Sequence, residues 1–302
     1  MNFEEFVKYV SKEVILRLGE EYFCSTAKVV KNNGQKLTGL TVRRKDVCVS
    51  PTFYLEAFYD LYESGEDIEY IIDMLADGYM KYEVKEDTDF SYIQEYEIIK
   101  KDIFCKLVNS SLNEELLKDI PHINILDLSV VFYIAVDLET VGHGSILVRN
   151  ENMRAWDICL ETLYKEAIDN TRSRNDFRFV NIADVLGELA GLENGGTGIE
   201  GIDNVQEIPM YVYTNNVKMF GAIGLLFDDL LSEFAQRIDS NFFILPSSIH
   251  ELIILPESEV KDKESLKDMV VTVNETQLEQ GEVLSDSVYY FNRNDRIVYR
   301  AA

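Results

Sequence analysis

The stretch FFILPSSIHELIILP, from Phe242 to Pro256, decides how the chain is read. Two apolar runs of strand length are interrupted by Pro246, Ser247, Ser248 and the His250-Glu251 pair. Pro246 has no N–H to give to a ladder, so it ends one strand (242–245), the serines turn the chain, and His250 opens the next strand (250–255). A hairpin-like corner of this kind points to antiparallel pairing. The same string also admits a capping box, Ser248-x-x-Glu251, although Pro256 leaves little room for a helix. In a third reading Ser247 or Ser248 is a nucleophile and His250 its base. Successive strand residues point to opposite faces, so Glu251 would not orient His250, and no Gly-x-Ser-x-Gly elbow occurs in the chain. Ser248, His250 and Glu251 are the catalytic candidates on that reading, and a small ligand or peptide held by Ser248 and His250 is its variant.

Outward from this corner, strands and helices interleave. A strand over 210–214 and a helix over 218–238 precede it; a helix over about 264–278 and a terminal hairpin (287–291 and 297–300, joined through NRNDR) follow it. Further upstream, 123–139 around VVFYIAV reads as one or two buried strands, and Gly142-His143-Gly144 breaks it before a strand at 145–149. A helix over about 153–168 carries Trp156, the only tryptophan, as a core anchor. An extended or loop segment (177–180), a short helix (181–190) and a glycine-rich surface loop (191–204) come next. Such interleaving with hairpins predicts an α+β fold rather than a doubly wound parallel sheet.

The N-terminal third reads differently. Phe3, Phe6, Val7, Val10, Val14, Ile15 and Leu18 recur at helical spacing, and Gly19 stops that helix. Alternating stretches flank Asn32, Asn33 and Gly34, a hairpin signal. From Pro51 three apolar stripes predict three helices: Leu55, Phe58 and Tyr62; then Ile68 to Tyr82; then Ile93, Tyr96, Ile103 and Leu107. The expected organisation is therefore an N-terminal part, 1–118, of helix, hairpin and acidic helices, followed by a mixed part, 119–302.

Charge narrows function. The 302 residues carry 54 Asp+Glu against 29 Lys+Arg, a formal net charge of −25, which repels nucleic acid and anionic membrane surfaces alike. No apolar run approaches the roughly 18 to 20 residues that span a bilayer, and the start MNFEEF has no signal-peptide pattern, so a soluble cytoplasmic protein is expected. Between Glu56 and Glu97, 14 acids face only Lys81 and Lys85, a local net of −12. That is either a solvated outer face or a docking surface for a basic partner. Seven tyrosines in the segment keep the docking reading open, because Tyr supplies contact area with a polar tip.

Other motifs offer less. Cys24, Cys48, Cys105 and Cys159 match neither a Cys-x-x-Cys zinc pattern nor a disulfide framework, and read as reduced thiols. Gly196, Gly198 and Gly201 spell Gly-x-Gly-x-x-Gly, yet no strand precedes them, no helix opens after them, and Glu193, Glu200 and Asp203 repel a pyrophosphate. Three separated histidines (His122, His143, His250) and the adjacent Asp228-Asp229 give no His-rich or local metal site; a carboxylate-only Mg or Ca site need not be local in sequence and has no positive signal, so neither a metal nor a cofactor is expected. His143 between glycines could approach a ligand closely. A segment starting at Ile146 can be laid over one starting at Met210, matching Asn150 with Asn215 and, after an insertion, Ala167 with Ala235. Each copy reads strand, Asn turn, helix, which is either an internal duplication with a binding groove between the units or chance similarity of two strand-helix segments; Asn150 and Asn215, with His143 between its glycines, are the binding candidates.

ILVRNENMRAW, YVYTNN…GAIGLLF, FFILPSSIHE and NETQL…EVLSDSVYYF resemble an uncharacterised family, a domain of unknown function frequent in anaerobic gut bacteria. The resemblance covers most of the chain and is strongest from Ile146 to Phe291. It implies a bacterial origin and a near-full-length family fold, and it brings no activity or assigned residue. The expected function is a cytoplasmic, non-enzymatic interaction or regulatory protein docking a basic partner through its acidic helices. One variant is mimicry of nucleic-acid charge, which needs a double row of carboxylates. The alternative is a hydrolase or small-ligand protein with a site near Ser248, His250 and Asn215.

Overall fold

The structure, a computed structural model, describes residues 1–44, 50–82, 91–138, 142–189, 209–246 and 248–301. The chain forms two compact units, one of residues 1–99 with 135–146 and one of 100–134 with 147–302.

In the first unit, α1 (Phe3–Leu18) opens on a capping box in which Asn2 Oδ1 accepts from Glu5 N and Glu5 Oε2 accepts from Asn2 N, each at 3.0 Å. It stops where expected, at Gly19 with φ 116°. Strands β1 (Tyr22–Val30) and β2 (Lys36–Arg44) pair antiparallel, from Tyr22 opposite Arg44 to Val30 opposite Lys36. The turn between them needs positive φ at two positions, which Asn33 (57°) and Gly34 (67°) supply. The short β3 (Thr52–Tyr54) completes a sheet of order β1-β2-β3. Helices α2 (Leu55–Glu63), α3 (Ile68–Tyr82) and α4 (Tyr96–Ile99) follow. Phe6, Val10 and Val14 of α1 meet Leu40 and Val42 of β2 and Ile71, Ile72, Leu75 and Tyr79 of α3 in one core. Each such side chain contributes about 1.5–3 kcal/mol by burial, so this stripe, rather than propensity, fixes α1.

In the second unit, the spacing of Ile103 and Leu107 predicts a third helix, but Ile103–Asn109 is a strand, β4. Its Phe104, Cys105, Leu107 and Val108 are all buried, so both faces are covered, and an i, i+4 coincidence of apolar residues cannot distinguish that from a helix. β4 pairs antiparallel with β6 (Leu128–Leu138), from Ile103 opposite Ile134 to Asn109 opposite Leu128. Between them lie α5 (Glu114–Leu117) and β5 (His122–Ile125), and β5 also pairs with β6. β7 (Gly142–Leu147) pairs with β6 as well.

Helices α6 (Asn150–Trp156) and α7 (Leu160–Arg174) come next, and Trp156 is buried as an anchor at the end of α6. Thr171 of α7 accepts from Cys105 N at 3.0 Å, which fixes the helix on β4. β8 (Phe177–Asn181), α8 (Ile182–Leu189), β9 (Tyr211–Asn215), a 3-10 turn (Gly221–Leu226) and α9 (Asp228–Arg237) lead to β10 (Phe242–Leu245) and β11 (Leu252–Pro256). Then α10 (Lys263–Thr276) precedes the terminal hairpin of β12 (Tyr289–Asn292) and β13 (Ile297–Arg300). These strands form an antiparallel sheet of order β13-β12-β10-β11-β9-β8, with Phe243 opposite Leu255 across the expected corner. Alternation on β10 covers both faces: Phe243 and Leu245 pack with Leu266 and Val270 of α10, while Phe242 meets Phe234 of α9 edge-on. The fold is α+β, as the hairpins implied.

The helix expected over 218–238 starts ten residues late. Lys218 and Phe220 both stand at φ 53°, a left-handed conformation that no helix continues through. The strand, Asn, helix order of the two similar segments is retained, but β7 pairs with β6 and β9 lies in the six-stranded sheet. The glycine-rich loop with Gly196, Gly198 and Gly201 lies outside the described residues.

Candidate functional site

The corner between β10 and β11 is held by backbone. Gly221 lies so close beneath it that an added Cβ would sit 2.5 Å from His250 O and from Thr214 Oγ1, and 2.9 Å from Asn215 N. Thr214 Oγ1 donates to His250 O at 2.8 Å, and Ala222 N donates to Ile249 O at 3.3 Å. Ser248, 2% exposed, forms an isolated bridge with Val283. Its Oγ accepts from His250 N at 3.0 Å and bonds the Glu251 carboxylate. Burial pushes the Glu251 carboxyl up, an effect that His250 and Ser248 only partly offset.

The imidazole of His250 faces elsewhere. Phe220 N donates to Nδ1 at 3.3 Å, so in the neutral ring the proton sits on Nε2, which faces Glu282 Oε1 at 3.6 Å. The ring also stacks on Phe220, 5.7 Å between centroids. Ser248 and His250 are neighbours, but the hydroxyl addresses a carboxylate and a backbone amide rather than the ring. Ser247 lies outside the described residues.

Asn215 comes to the same corner, and its side chain is spent on its own loop: Nδ2 donates to Met219 O at 2.7 Å and Oδ1 accepts from Met219 N at 3.2 Å. Asn150, its counterpart, opens α6 and donates to Lys118 O at 3.2 Å. It lines a cavity of about 730 Å³ with Met153, Arg154, Asp157, Ile158 and Cys159. The two asparagines therefore do different work. His143 lies in β7, and its side chain is outside the description. His122 Nδ1 lies 3.1 Å from Ile120 O, as a local strand-end contact. Asp229 pairs with Arg172 at 2.9 Å. Among the described residues no three His, Cys, Asp or Glu side chains gather to hold a metal. None of the described helices is long and apolar enough to cross a membrane.

One polar cluster lies outside the residues that the sequence offers as candidates. Asp127, in the two-residue turn between β5 and β6, accepts from Ser285 Oγ at 2.5 Å, Tyr289 OH at 2.6 Å and Ser287 Oγ at 2.9 Å. Burial raises the Asp127 carboxyl, but the three hydroxyls outweigh it and hold the group below the usual carboxylate range. Ser285, Ser287 and Tyr289 stand at every second position of the approach to β12, and all three hydroxyls reach the same carboxylate. That period-two pattern of hydroxyls was the available signal. Every member is satisfied within the cluster, which makes it a clasp between the β5–β6 turn and the segment that leads into β12.

The acidic segment has a definite geometry in the first unit. Glu69, Asp73 and Asp77 form one exposed row along α3, and Tyr70 (55% exposed) and Met74 form the row beside it. Arg17 reaches across from α1 to Glu69 Oε2 at 2.5 Å and Asp73 Oδ1 at 2.8 Å. The tyrosines are mostly not on this surface. Tyr59 and Tyr62 pack on Phe6, Tyr79 is in the core against Tyr22, and Tyr82, Tyr92 and Tyr96 are half-buried.

No curated protein and no solved structure matches the chain. A family match, by contrast, extends over residues 3–293, well beyond the segments whose strings suggested the resemblance. The chain belongs to a family of unknown function, DUF5688.

Proposed function

We propose that this is a bacterial, cytoplasmic, non-enzymatic interaction protein whose α3 presents an acidic and partly apolar face to a basic partner protein. The observation that carries the reading is the pair of rows on α3, with Glu69, Asp73 and Asp77 beside exposed Tyr70 and Met74. Carboxylates steer a basic surface to the site, and the adjoining apolar row supplies contact area once it arrives. On α3 one acidic row lies beside an apolar one, which favours a protein partner over mimicry of DNA, since that calls for two rows of charge. Free thiols at Cys24, Cys105 and Cys159 agree with a reducing compartment. The hydrolase or small-ligand alternative has weaker support, because the Ser248 hydroxyl and the His250 ring do not address each other and Asn215 is occupied by its own loop.

A differential capture experiment tests the proposal. The wild-type chain should retain a protein that Asp73→Lys/Asp77→Lys does not, and salt at about 0.5 M, where the Debye length falls to a few Å, should release it. Retention of the same proteins by both forms would contradict it.

A further inference from the structure

A second surface of the first unit has the opposite electrostatic character. Two adjoining cavities, of about 490 and 480 Å³, run along α1 beside β1 and share Val7, Lys8 and Thr26. Their apolar floor is built from half-buried Phe3, Val7, Ile15 and Leu37, and Leu16, 65% exposed, stands at one rim. Lys8 and Lys12 on α1 and Lys28 and Lys36 on the strands line them, four lysines against Glu4 and Glu56 in a chain of net charge −25. Among the described residues Lys8, Lys28 and Lys36 make no ion pair, and Lys12 pairs only with its neighbour Glu13, at 3.4 Å. Glu56 is turned inward, accepting from Thr38 N at 2.7 Å.

The groove also borders a strand edge. Among the described residues β1 pairs only with β2, and Ser25, Thr26, Ala27 and Lys28 are four consecutive exposed residues. Such an edge offers a row of backbone donors and acceptors to another extended chain. We propose that this groove receives an extended acidic segment of a partner protein, added as a fourth strand on β1.

Charge and dimensions agree on that occupant. From Phe3 to Leu16 the helix rises about 20 Å at ~1.5 Å per residue, the length of about six residues of extended chain. Apolar side chains of the segment would meet the floor at alternate positions while its carboxylates meet the lysines. A fatty acid places its single charge at one end, whereas these lysines are distributed along both walls. A second copy paired edge to edge would set one lysine rim against another. The groove is distinct from the acidic row of α3, so each surface can fail without the other.

The test is a selection of displayed ten-residue peptides on the full-length protein, followed by fluorescence anisotropy and amide hydrogen exchange with the strongest peptide. The selected sequences should alternate Asp or Glu with Val, Ile or Leu, and binding should slow exchange at residues 25–28. Lys8→Glu/Lys28→Glu should weaken binding by at least about tenfold. The charge-matched Lys261→Glu/Lys267→Glu, outside the groove, and the α3 variant Asp73→Lys/Asp77→Lys should leave it unchanged. Selection of basic peptides, absence of protection on β1, displacement by dodecanoate, or self-association that Lys28→Glu strengthens would each overturn the proposal.

Discussion

Replacing Asp127 by Ala removes the acceptor of three hydroxyls at once, and their burial sets the size of the effect. Ser285 is 0% exposed, Ser287 2% and Tyr289 0%, so none can turn to water without local opening. Hydrogen bonds to a charged group are worth about 1.5–3 kcal/mol each, and a buried donor left alone costs about 1–3 kcal/mol. The contributions do not add, because Ser285 Oγ keeps the bond it accepts from Ser287 N at 2.9 Å, and removal of a half-buried carboxylate refunds part of its desolvation. A net loss of about 3–5 kcal/mol is expected for Asp127→Ala, and about 1–3 kcal/mol for Asp127→Asn, which retains one acceptor oxygen. Urea unfolding followed by fluorescence of Trp156 reports on the second unit specifically, because Trp156 is the only tryptophan and lies in that unit. The pH dependence carries a sign. A carboxyl held low in the folded state stabilises above its unfolded value, near about 3.9, and the contribution fades as pH falls towards the folded value. The penalty of Asp127→Asn should therefore be full at pH 7 and shrink below about pH 4. A loss under about 1 kcal/mol for Asp127→Ala, or equal losses for the two variants, would refute the clasp.

Three further outcomes follow from single positions. Gly221→Ala forces a Cβ to within 2.5 Å of His250 O, so the β10–β11 corner must shift, and a loss of more than about 2 kcal/mol should appear in the same urea assay. Leu126 stands at φ 56° and is 42% exposed, so Leu126→Asn should raise stability by up to about 1 kcal/mol, a gain checked by thermal melting. Among Cys24, Cys105 and Cys159, timed alkylation with mass spectrometry should find Cys159 first, since Thr162 lowers its exposed thiol, and Cys105 last, since burial pushes its thiol up to about 12.

Local signals with a single physical solution were readable in the sequence. Gly19 after the α1 stripe, Asn33-Gly34 between alternating runs, and Pro246 between apolar runs each marked a boundary that the backbone keeps. Signals with two solutions were not. Ile103 and Leu107 suit a helix face, yet a strand covered on both faces buries them equally well, and only the pairing with β6 decides. The late start of α9 follows from the left-handed turn at Lys218 and Phe220, beside Gly221 fitted under His250 O, a contact between residues far apart in the chain. The tyrosines of the acidic segment suggested a docking surface, but Tyr59, Tyr62 and Tyr79 have apolar partners on α1 and β1 that no local pattern reveals. The hydroxyls at Ser285, Ser287 and Tyr289 could have been recognised as one face. Their acceptor, about 160 positions upstream, could not.

The central claim is that α3 binds a basic partner, and the affinity of the captured protein for wild type and for Asp73→Lys/Asp77→Lys, measured at low and high salt, tests it most directly. The account predicts a wild-type affinity that falls steeply with salt and a variant weakened by at least about tenfold at low salt. Equal affinities for the two forms, independent of salt, would contradict it.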